Sequence, residues 1–344
     1  MWTCRKGLCA FLFMIGLSFF IGALQVSSEE SGTPLTIEPI YPENQDVNVK
    51  GYFRLNVEPN QTQTINVRMT NNLEDKQKVI IEKANGFTNP VGGMLYRETI
   101  DSNDSILLDD GIKLVNFISV DSELTMDGKE TVEIPIDITV PDVDSGTILG
   151  AVRIITEGKA DEKSVEVEEG TANFVLQTET AHSVAIQLDL PNPVEPSFSM
   201  GTAGFTLKGP SAYIEMKNDT QMIQENISGA YQVEDGDGNQ LFNGEIPTFN
   251  MAPKTQINYP FQWNYETLED GDYRLLVTLD VNGNEVDAEE RFSIANDDVE
   301  EYVERNQPVV PQGQVENGIP SWVWIIAGAI VLAGVMFWLG RRRK

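Results

Sequence analysis

One histidine, two cysteines and an abundance of carboxylates are the side chains of this 344-residue chain that could do chemistry. His182 stands in the alternating run Val175 to Leu190, and the chain has no H-E-x-x-H, no G-x-S-x-G and no Cys–His pairing. Zinc-assisted hydrolysis and histidine-assisted nucleophilic attack therefore lack their parts, and a lone histidine on a strand reads as structural. Glycoside hydrolysis needs two carboxylates at a set separation; with 53 Asp and Glu, the pattern singles out no pair. Asp235-Gly-Asp237-Gly-Asn239 begins like a calcium loop, but Gln240 and Ile246 stand where an EF-hand has Gly and a bidentate Glu. A hairpin turn is expected there instead. The expectation is a chain that is not an enzyme, with no catalytic residue, cofactor or metal ligand.

The elements that would position these residues are strands. Between Leu35 and Ala295 apolar residues recur at every second position in short runs broken by Gly, Pro, Asn and Asp, as in Leu35–Ile40, Gln63–Met69, Thr131–Val140 and Tyr273–Leu279. That period, with its β-branched content, predicts β-sandwich. All 17 prolines fall between Pro34 and Pro320, against long helices there. Ile257-Asn-Tyr259-Pro-Phe261-Gln-Trp263-Asn-Tyr265 places its apolar groups on one strand face, read as core ahead of a ligand platform. Leu268 to Tyr273 has the form of a tyrosine corner, and Asn282-Gly283 marks a hairpin.

A shift in composition divides this region. Glu157 to Gly170 holds six acids, two bases and no aromatic, and reads as a linker or a long surface loop. The expected architecture is all-β, with two tandem Ig-like sandwiches at 35–157 and 172–296 joined by an acidic linker at 158–171. Val299, Tyr302 and Val303 predict one short helix within Asn296 to Asn306. The stretch 297–318 ends in a Pro- and Gly-bearing spacer.

Two apolar segments bracket the strands. Trp322 to Leu339 is free of charge for eighteen residues. At ~1.5 Å per residue such a helix is roughly 27 Å long, near the thickness of a bilayer core. Trp322, Trp324 and Trp338 suit the two interfaces, and Arg341, Arg342, Arg343 and Lys344 hold the end in the cytoplasm. A transmembrane helix at 319–340 and a cytoplasmic tail at 341–344 are expected. Arg5 and Lys6 before the apolar run Leu8 to Leu24 predict a signal peptide over 1–28. The chain is then a single-pass type I protein of the cell membrane, its ectodomain facing the cell wall. Cys4 and Cys9 lie in the leader, which excludes a disulfide framework. Cys9 precedes its apolar run, against lipid attachment.

The net charge is −29, but Arg5, Lys6 and the last four residues are six of the 24 bases, leaving 18 positive against 53 negative charges, −35, elsewhere. Nucleic acid is excluded as a partner. Neutral glycan, peptide or a cationic protein patch remains, and acidity also serves solubility.

Pro42-Glu-Asn-Gln45, Tyr52-Phe-Arg-Leu55, Pro59-Asn-Gln-Thr-Gln63, Asn71-Asn72, Phe87-Thr-Asn89-Pro-Val-Gly92 with Tyr96, Pro141 and Gly146 to Gly150 occur in that order. Asn173-Phe174, Asn250-Met-Ala-Pro253 and Leu268-x-x-Gly271-x-Tyr273 follow, then the anchor and basic tail. In this order the residues resemble the WxL-interacting proteins of Gram-positive bacteria. The resemblance covers nearly the whole mature chain. It implies an N-terminal domain that binds peptidoglycan, a C-terminal domain that binds host extracellular matrix proteins, and association with WxL-domain surface proteins. None of the five tryptophans here begins a Trp-x-Leu, as suits the partner and not the carrier. No ligand-binding residue carries over by the resemblance. Asn71, Asn72 and Asn89 are read as amides that cap turns, and Gly92 and Gly150 as turn or bulge positions. The function expected is a membrane-anchored surface scaffold or adhesin. The alternative is a chaperone-like assembly factor for WxL surface proteins, acting by β-strand addition at free edges.

Overall fold

In this computed structural model the described residues are 33–100, 102–157, 179–207, 209–264 and 268–306. The expected leader 1–28, acidic segment 158–171, anchor 319–340 with Trp322, Trp324 and Trp338, and tail Arg341, Arg342, Arg343 and Lys344 lie outside them. Among the described residues no helix is long and apolar enough to cross a membrane. The described chain divides into two units, 33–264 with 271–293, and 268–270 with 294–306.

The first unit is mostly β. Its strands are β1 (Leu35–Ile40), β2 (Phe53–Asn56), β3 (Thr62–Asn71), β4 (Gln77–Thr88), β5 (Met94–Arg97), β6 (Ser105–Leu107), β7 (Ile118–Ser119), β8 (Glu123–Met126), β9 (Thr131–Thr139), β10 (Thr147–Glu157) and β11 (Glu179–Asp189). They continue with β12 (Phe198–Thr206), β13 (Ser211–Asn218), β14 (Gln224–Asp235), β15 (Gln240–Met251), β16 (Thr255–Gln262), β17 (Gly271–Val281) and β18 (Asn284–Ile294). Period two decides these strands: in β9, Pro135, Asp137 and Thr139 are exposed while Ile136 and Ile138 between them are buried. At the β17–β18 hairpin, Asn282 (φ 54°) and Gly283 (φ 82°) both take the left-handed backbone that a two-residue turn of this kind requires.

Four sheets result, in two pairs. In the first pair, β1-β3-β9-β7 lies over β2-β11-β10-β4-β5, to which β8 adds along β4. Ile65, Val67 and Met69 of β3 with Ile136 and Ile138 of β9 share one buried cluster with Val79 and Ile81 of β4 and Ile148, Val152 and Ile154 of β10. Each such side chain contributes about 1.5–3 kcal/mol on full burial. The second pair, β12-β13-β16-β6 and β15-β14-β17-β18, repeats the order of the first. Its core is aromatic, with Tyr231 and Phe261 at 4.4 Å and Phe249 and Tyr259 at 5.3 Å between ring centroids.

Two strands cross the division expected from composition. β11 begins beyond the acidic segment, yet it pairs antiparallel with β10 from Thr147↔Asp189 to Glu157↔Glu179, and parallel with β2. Residues 158–171 therefore fall between two paired strands of one sheet, and the chain passes to the second pair of sheets through 190–197. In the opposite sense β6, from the first half of the chain, pairs with β16 through Ser105↔Ile257 and Leu107↔Thr255. In its own sheet β6 takes the place that β7 takes beside β9 in the first.

The crossing is sealed by a ring of hydrogen bonds. Thr88, at the end of β4, and Thr255 are both fully buried, their hydroxyls 2.6 Å apart. Thr255 Oγ1 donates to the Ala252 carbonyl at 2.8 Å, so the Thr88 hydroxyl donates to Thr255 while accepting the Ala252 N–H at 2.8 Å. Ser105 Oγ of β6 donates to the Thr88 carbonyl at 2.6 Å. Thr147 N donates to the Gln221 carbonyl at 2.6 Å, and Gln221 Nε2 returns a bond to the Thr147 carbonyl at 2.7 Å. Every donor of the ring is satisfied, as burial demands.

The second unit contains the helix α1 (Asn296–Asn306), as Val299 and Tyr302 predict, with Asp297 and Asp298 in its first turn, where the helix dipole favours acids.

Thr88→Val strands the Ala252 N–H in the interior, while the Thr255 hydroxyl keeps its bond to the Ala252 carbonyl, at a cost of about 1–3 kcal/mol. In denaturant unfolding, Thr88→Val/Thr255→Val should lose clearly less than the sum of the single variants; strict additivity would show that the ring does not act as one network.

Candidate binding surfaces

Of the candidate reactive groups, Cys4 and Cys9 lie outside the described residues, and His182 is described. His182 lies on β11 opposite Ile154, and its Nε2 is buried without a hydrogen-bond partner. Among the described residues no three of His, Cys, Asp and Glu converge where a metal ion could sit. Asp235 closes the β14–β15 turn: its carboxylate accepts the N–H of Asp237 at 3.0 Å and of Asn239 at 2.8 Å, and the Asn239 amide at 2.9 Å. Those bonds, the Asn239 side chain first, hold Asp235 below the usual carboxylate pKa. The aromatic run points inward over its described part, 257–263, while Tyr265 lies outside the described residues. Ile257, Tyr259 and Phe261 are buried, and the half-buried Trp263 meets Phe205, Phe242 and Tyr273 edge-on at 5.7, 5.3 and 5.2 Å.

The polar residues quoted for the resemblance shape loops. Buried Gln45 donates through Nε2 to the carbonyls of Asp46, Val49 and Tyr52, each at 3.3 Å, and accepts the Arg54 N–H at 3.1 Å, so one amide sets the loop before β2. Asn89 Oδ1 accepts the Val91 N–H at 3.2 Å and shapes the β4–β5 tip, where Val91 is 66% exposed. Gly92 follows at φ +94°, and a Cβ there would stand 2.6 Å from Phe249 Cβ, so the tip lies against β15. Gly150 is not the turn or bulge expected. It sits within β10, where a Cβ would meet the Ala84 carbonyl and come within 2.6 Å of Leu114 Cδ2. Its requirement is steric and comes from a distant part of the chain.

Asn71 is fully buried and donates to the carbonyls of Asp75 and Asp127 at 2.8 Å while accepting the Leu73 N–H at 3.0 Å. Asn218 does the same in the second pair of sheets, toward Met222 at 2.8 Å, Ala252 at 2.9 Å and Thr220 N at 3.2 Å. Each Asn clips the end of its strand to the entry of the neighbouring strand, β9 for Asn71 and β16 for Asn218, and each is answered by a lysine with positive φ. Lys129 N donates to the Leu73 carbonyl and Lys254 N to that of Thr220, both at 2.9 Å. The second copy was missed in the sequence because Asn218 is followed by Asp and not by another Asn.

The described surface carries open grooves. One of about 310 Å³ is lined by Asn85, Phe87, Glu98, Ser105, Lys113 and Val115. Another of about 500 Å³ lies over β14, β15 and β17, lined by Tyr231, Asn243, Glu245, Leu276 and Thr278. On β5, burial first and the neighbouring Tyr52 second push the Tyr96 hydroxyl up to about 12, so it stays a neutral phenol at physiological pH.

Lys254 Nζ pairs with Asp110 at 2.6 Å, and this bond holds the Asp110 carboxyl below its ordinary pKa. A lowered folded-state pKa means stability that is complete above the unfolded carboxylate value and is lost as pH falls through the folded one. Asp110 is largely exposed, so solvent screens the pair and the effect is small. The melting temperature of Asp110→Asn should fall below that of the native protein at neutral pH, with the gap closing in acid; a gap independent of pH would place the effect elsewhere.

The family described as WxL Interacting Protein, peptidoglycan binding domain, matches residues 35–156, and that described as WxL Interacting Protein, host binding domain, matches residues 171–304. β11 thus falls in the second matched segment while it is hydrogen-bonded into the first pair of sheets. No curated protein matches the chain significantly. Among solved structures, the YadV chaperone aligns with 75% of this chain and 100% of its own at 10% identity, with a TM-score of 0.30. The Salmonella enterica SafA pilin in complex with the SafB chaperone aligns over 76% and 96% at 11% identity and 0.31, and the E. coli chaperone DraB over 76% and 95% at 13% identity and 0.30. At such scores the likeness carries no functional argument.

Proposed function

Because the chain belongs to the WxL-interacting protein family, with an N-terminal peptidoglycan-binding and a C-terminal host-binding domain, we propose that it is a cell-surface scaffold. It grips peptidoglycan, WxL-domain surface proteins and host extracellular matrix proteins at once, and carries out no catalysis. The ectodomain is two Ig-like sandwiches, the first closing with β11 and the second starting at β12. A leader over 1–28 exports it, and an anchor over 319–340 with the tail 341–344 leaves it in the membrane as a type I protein facing the wall. Apolar length, interfacial Trp322, Trp324 and Trp338, and the terminal Arg341, Arg342, Arg343 and Lys344 support that topology.

The observation that carries the scaffold reading is the exchange of β6 and β11 across the expected division. It joins the wall-binding and partner-binding parts through strand hydrogen bonds and a buried hydroxyl ring, in place of a loose tether. A scaffold needs such a fixed relation between its two grips, and an enzyme's cleft is not needed for it.

The full-length protein, solubilised and mixed with purified sacculi, should sediment with them and release no soluble muropeptide. It should also retain a WxL-domain protein on the same pellet. Sacculi that leave it in the supernatant would remove the wall-binding assignment, and release of muropeptides would make it a hydrolase.

A further inference from the structure

An unpaired strand edge presents a row of free N–H and C=O groups, and proteins guard it with charge, proline, bulges or brevity. Most edges here are guarded in this way. β1 carries Glu38 and Pro39, β15 carries Glu245 and Pro247, and β18 carries Glu285, Asp287, Glu289 and Glu290. β16 bears Pro260 beyond the short stretch that β6 covers, and β2, β5, β6, β7 and β8 run for four residues or fewer. β12 differs: Phe198-Ser-Met-Gly-Thr-Ala-Gly-Phe-Thr206 is nine residues long without a charge or a proline. Its one guard is a bulge between Met200 and Ala203.

The core beneath β12 is also left open. Phe198, Met200, Ala203 and Phe205 stand opposite Asn218, Met216, Ile214 and Ala212 of β13, and residues directly opposite share a face. All four partners on β13 are fully buried, whereas all four side chains on β12 are only partly buried. In the first pair of sheets the residue in Phe198's place is Leu35, opposite Asn71, and it is buried. A further strand laid along β12 would cover this seam with every second side chain.

Resting on the reading that the chain engages WxL-bearing proteins, we propose that β12 is the edge that receives one extended segment of such a partner. Trp and Leu in a Trp-x-Leu are two residues apart, so an added strand turns both toward the same face, here the seam from Phe198 to Phe205. The partner segment is neutral or basic. A balance of 18 positive to 53 negative charges outside the ends repels an acidic strand and opposes pairing of β12 with a second copy of this chain.

The test titrates the full-length protein in nanodiscs with a labelled peptide that carries one Trp-x-Leu among Thr and Lys, beside a control with Trp-x-x-Leu, which sends the two side chains to opposite faces. The first peptide binds, and the control binds at least ~10-fold more weakly, a difference of about 1.4 kcal/mol. Hydrogen exchange slows at the amides of 198–206 on binding. Met200→Lys/Ala203→Lys, a variant that copies the charged guard of β18, raises the Kd at least ~10-fold with an unchanged melting temperature. A variant that melts early is set aside in favour of the exchange map of the native protein, which decides alone. Equal binding of the two peptides overturns the proposal, as does protection on any strand other than β12. Protection of 198–206 before peptide is added, whether or not it depends on protein concentration, also overturns it, since the edge is then occupied by this chain. If an intact WxL-domain protein binds while 198–206 exchanges freely, the edge is wrong and the family reading stands. If neither peptide nor intact protein binds, both fail.

Discussion

The structure turns on four bonds around two threonines. Thr88 ends a strand of the first pair of sheets and Thr255 begins a strand of the second, and their hydroxyls meet in the interior with the Ala252 peptide group and Ser105 closing the circuit. A buried hydroxyl without a partner costs more than the net gain from a hydrogen bond made. Each member is therefore held in place by the cost of losing the others. That condition fixes β6 on β16, and β6 in turn fixes how the stretch 89–113 runs between the two pairs of sheets. Two modules that could have been beads on a string become one unit.

Around this joint the chain uses one plan twice. The strand order β1-β3-β9 returns as β12-β13-β16, and β11-β10-β4 as β18-β17-β14. The buried asparagines at the ends of β3 and β13 make the same three bonds to the same relative positions. The repetition makes the differences informative. Where the first copy uses its own β7 beside β9, the second borrows β6 from the first. Where the first copy guards β1 with Glu38 and Pro39, the second leaves β12 with a bulge and neither charge nor proline. The departures mark where the two copies differ: β6 ties the second copy to the first, and β12 is the edge proposed to receive a partner strand.

What the sequence discloses follows from the range of the interaction. β1, β9, the Asn282-Gly283 hairpin and α1 were legible because alternation, turn backbone and helical spacing are written within about ten residues. The inward aspect of Tyr259 and Phe261 was legible for the same reason. The return of β11 to the first sheet was not: its partners are set by pairing across the acidic segment, whose composition looks the same in a linker and in a connection between neighbouring strands. Gly150 misled because a glycine can answer to backbone conformation or to space, and only the approach of Leu114 and the Ala84 carbonyl tells which. β12 was not singled out in the sequence, because an uncharged stretch means something only once it is known to lie on an edge.

Charge and neutrality divide the labour. A chain with 53 acids pushes on itself, and that repulsion changes with ionic strength. A joint made of ion pairs would loosen or tighten with every change of salt. The joint here keeps its ion pair, Lys254 with Asp110, at the solvent side, where the carboxylate is largely exposed. Inside it uses hydroxyls, peptide groups and the Gln221 amide, which carry no net charge and sit out of reach of the ions that screen the surface. The acidity is thereby free to serve solubility and the rejection of acidic partners without setting how the two halves are held together.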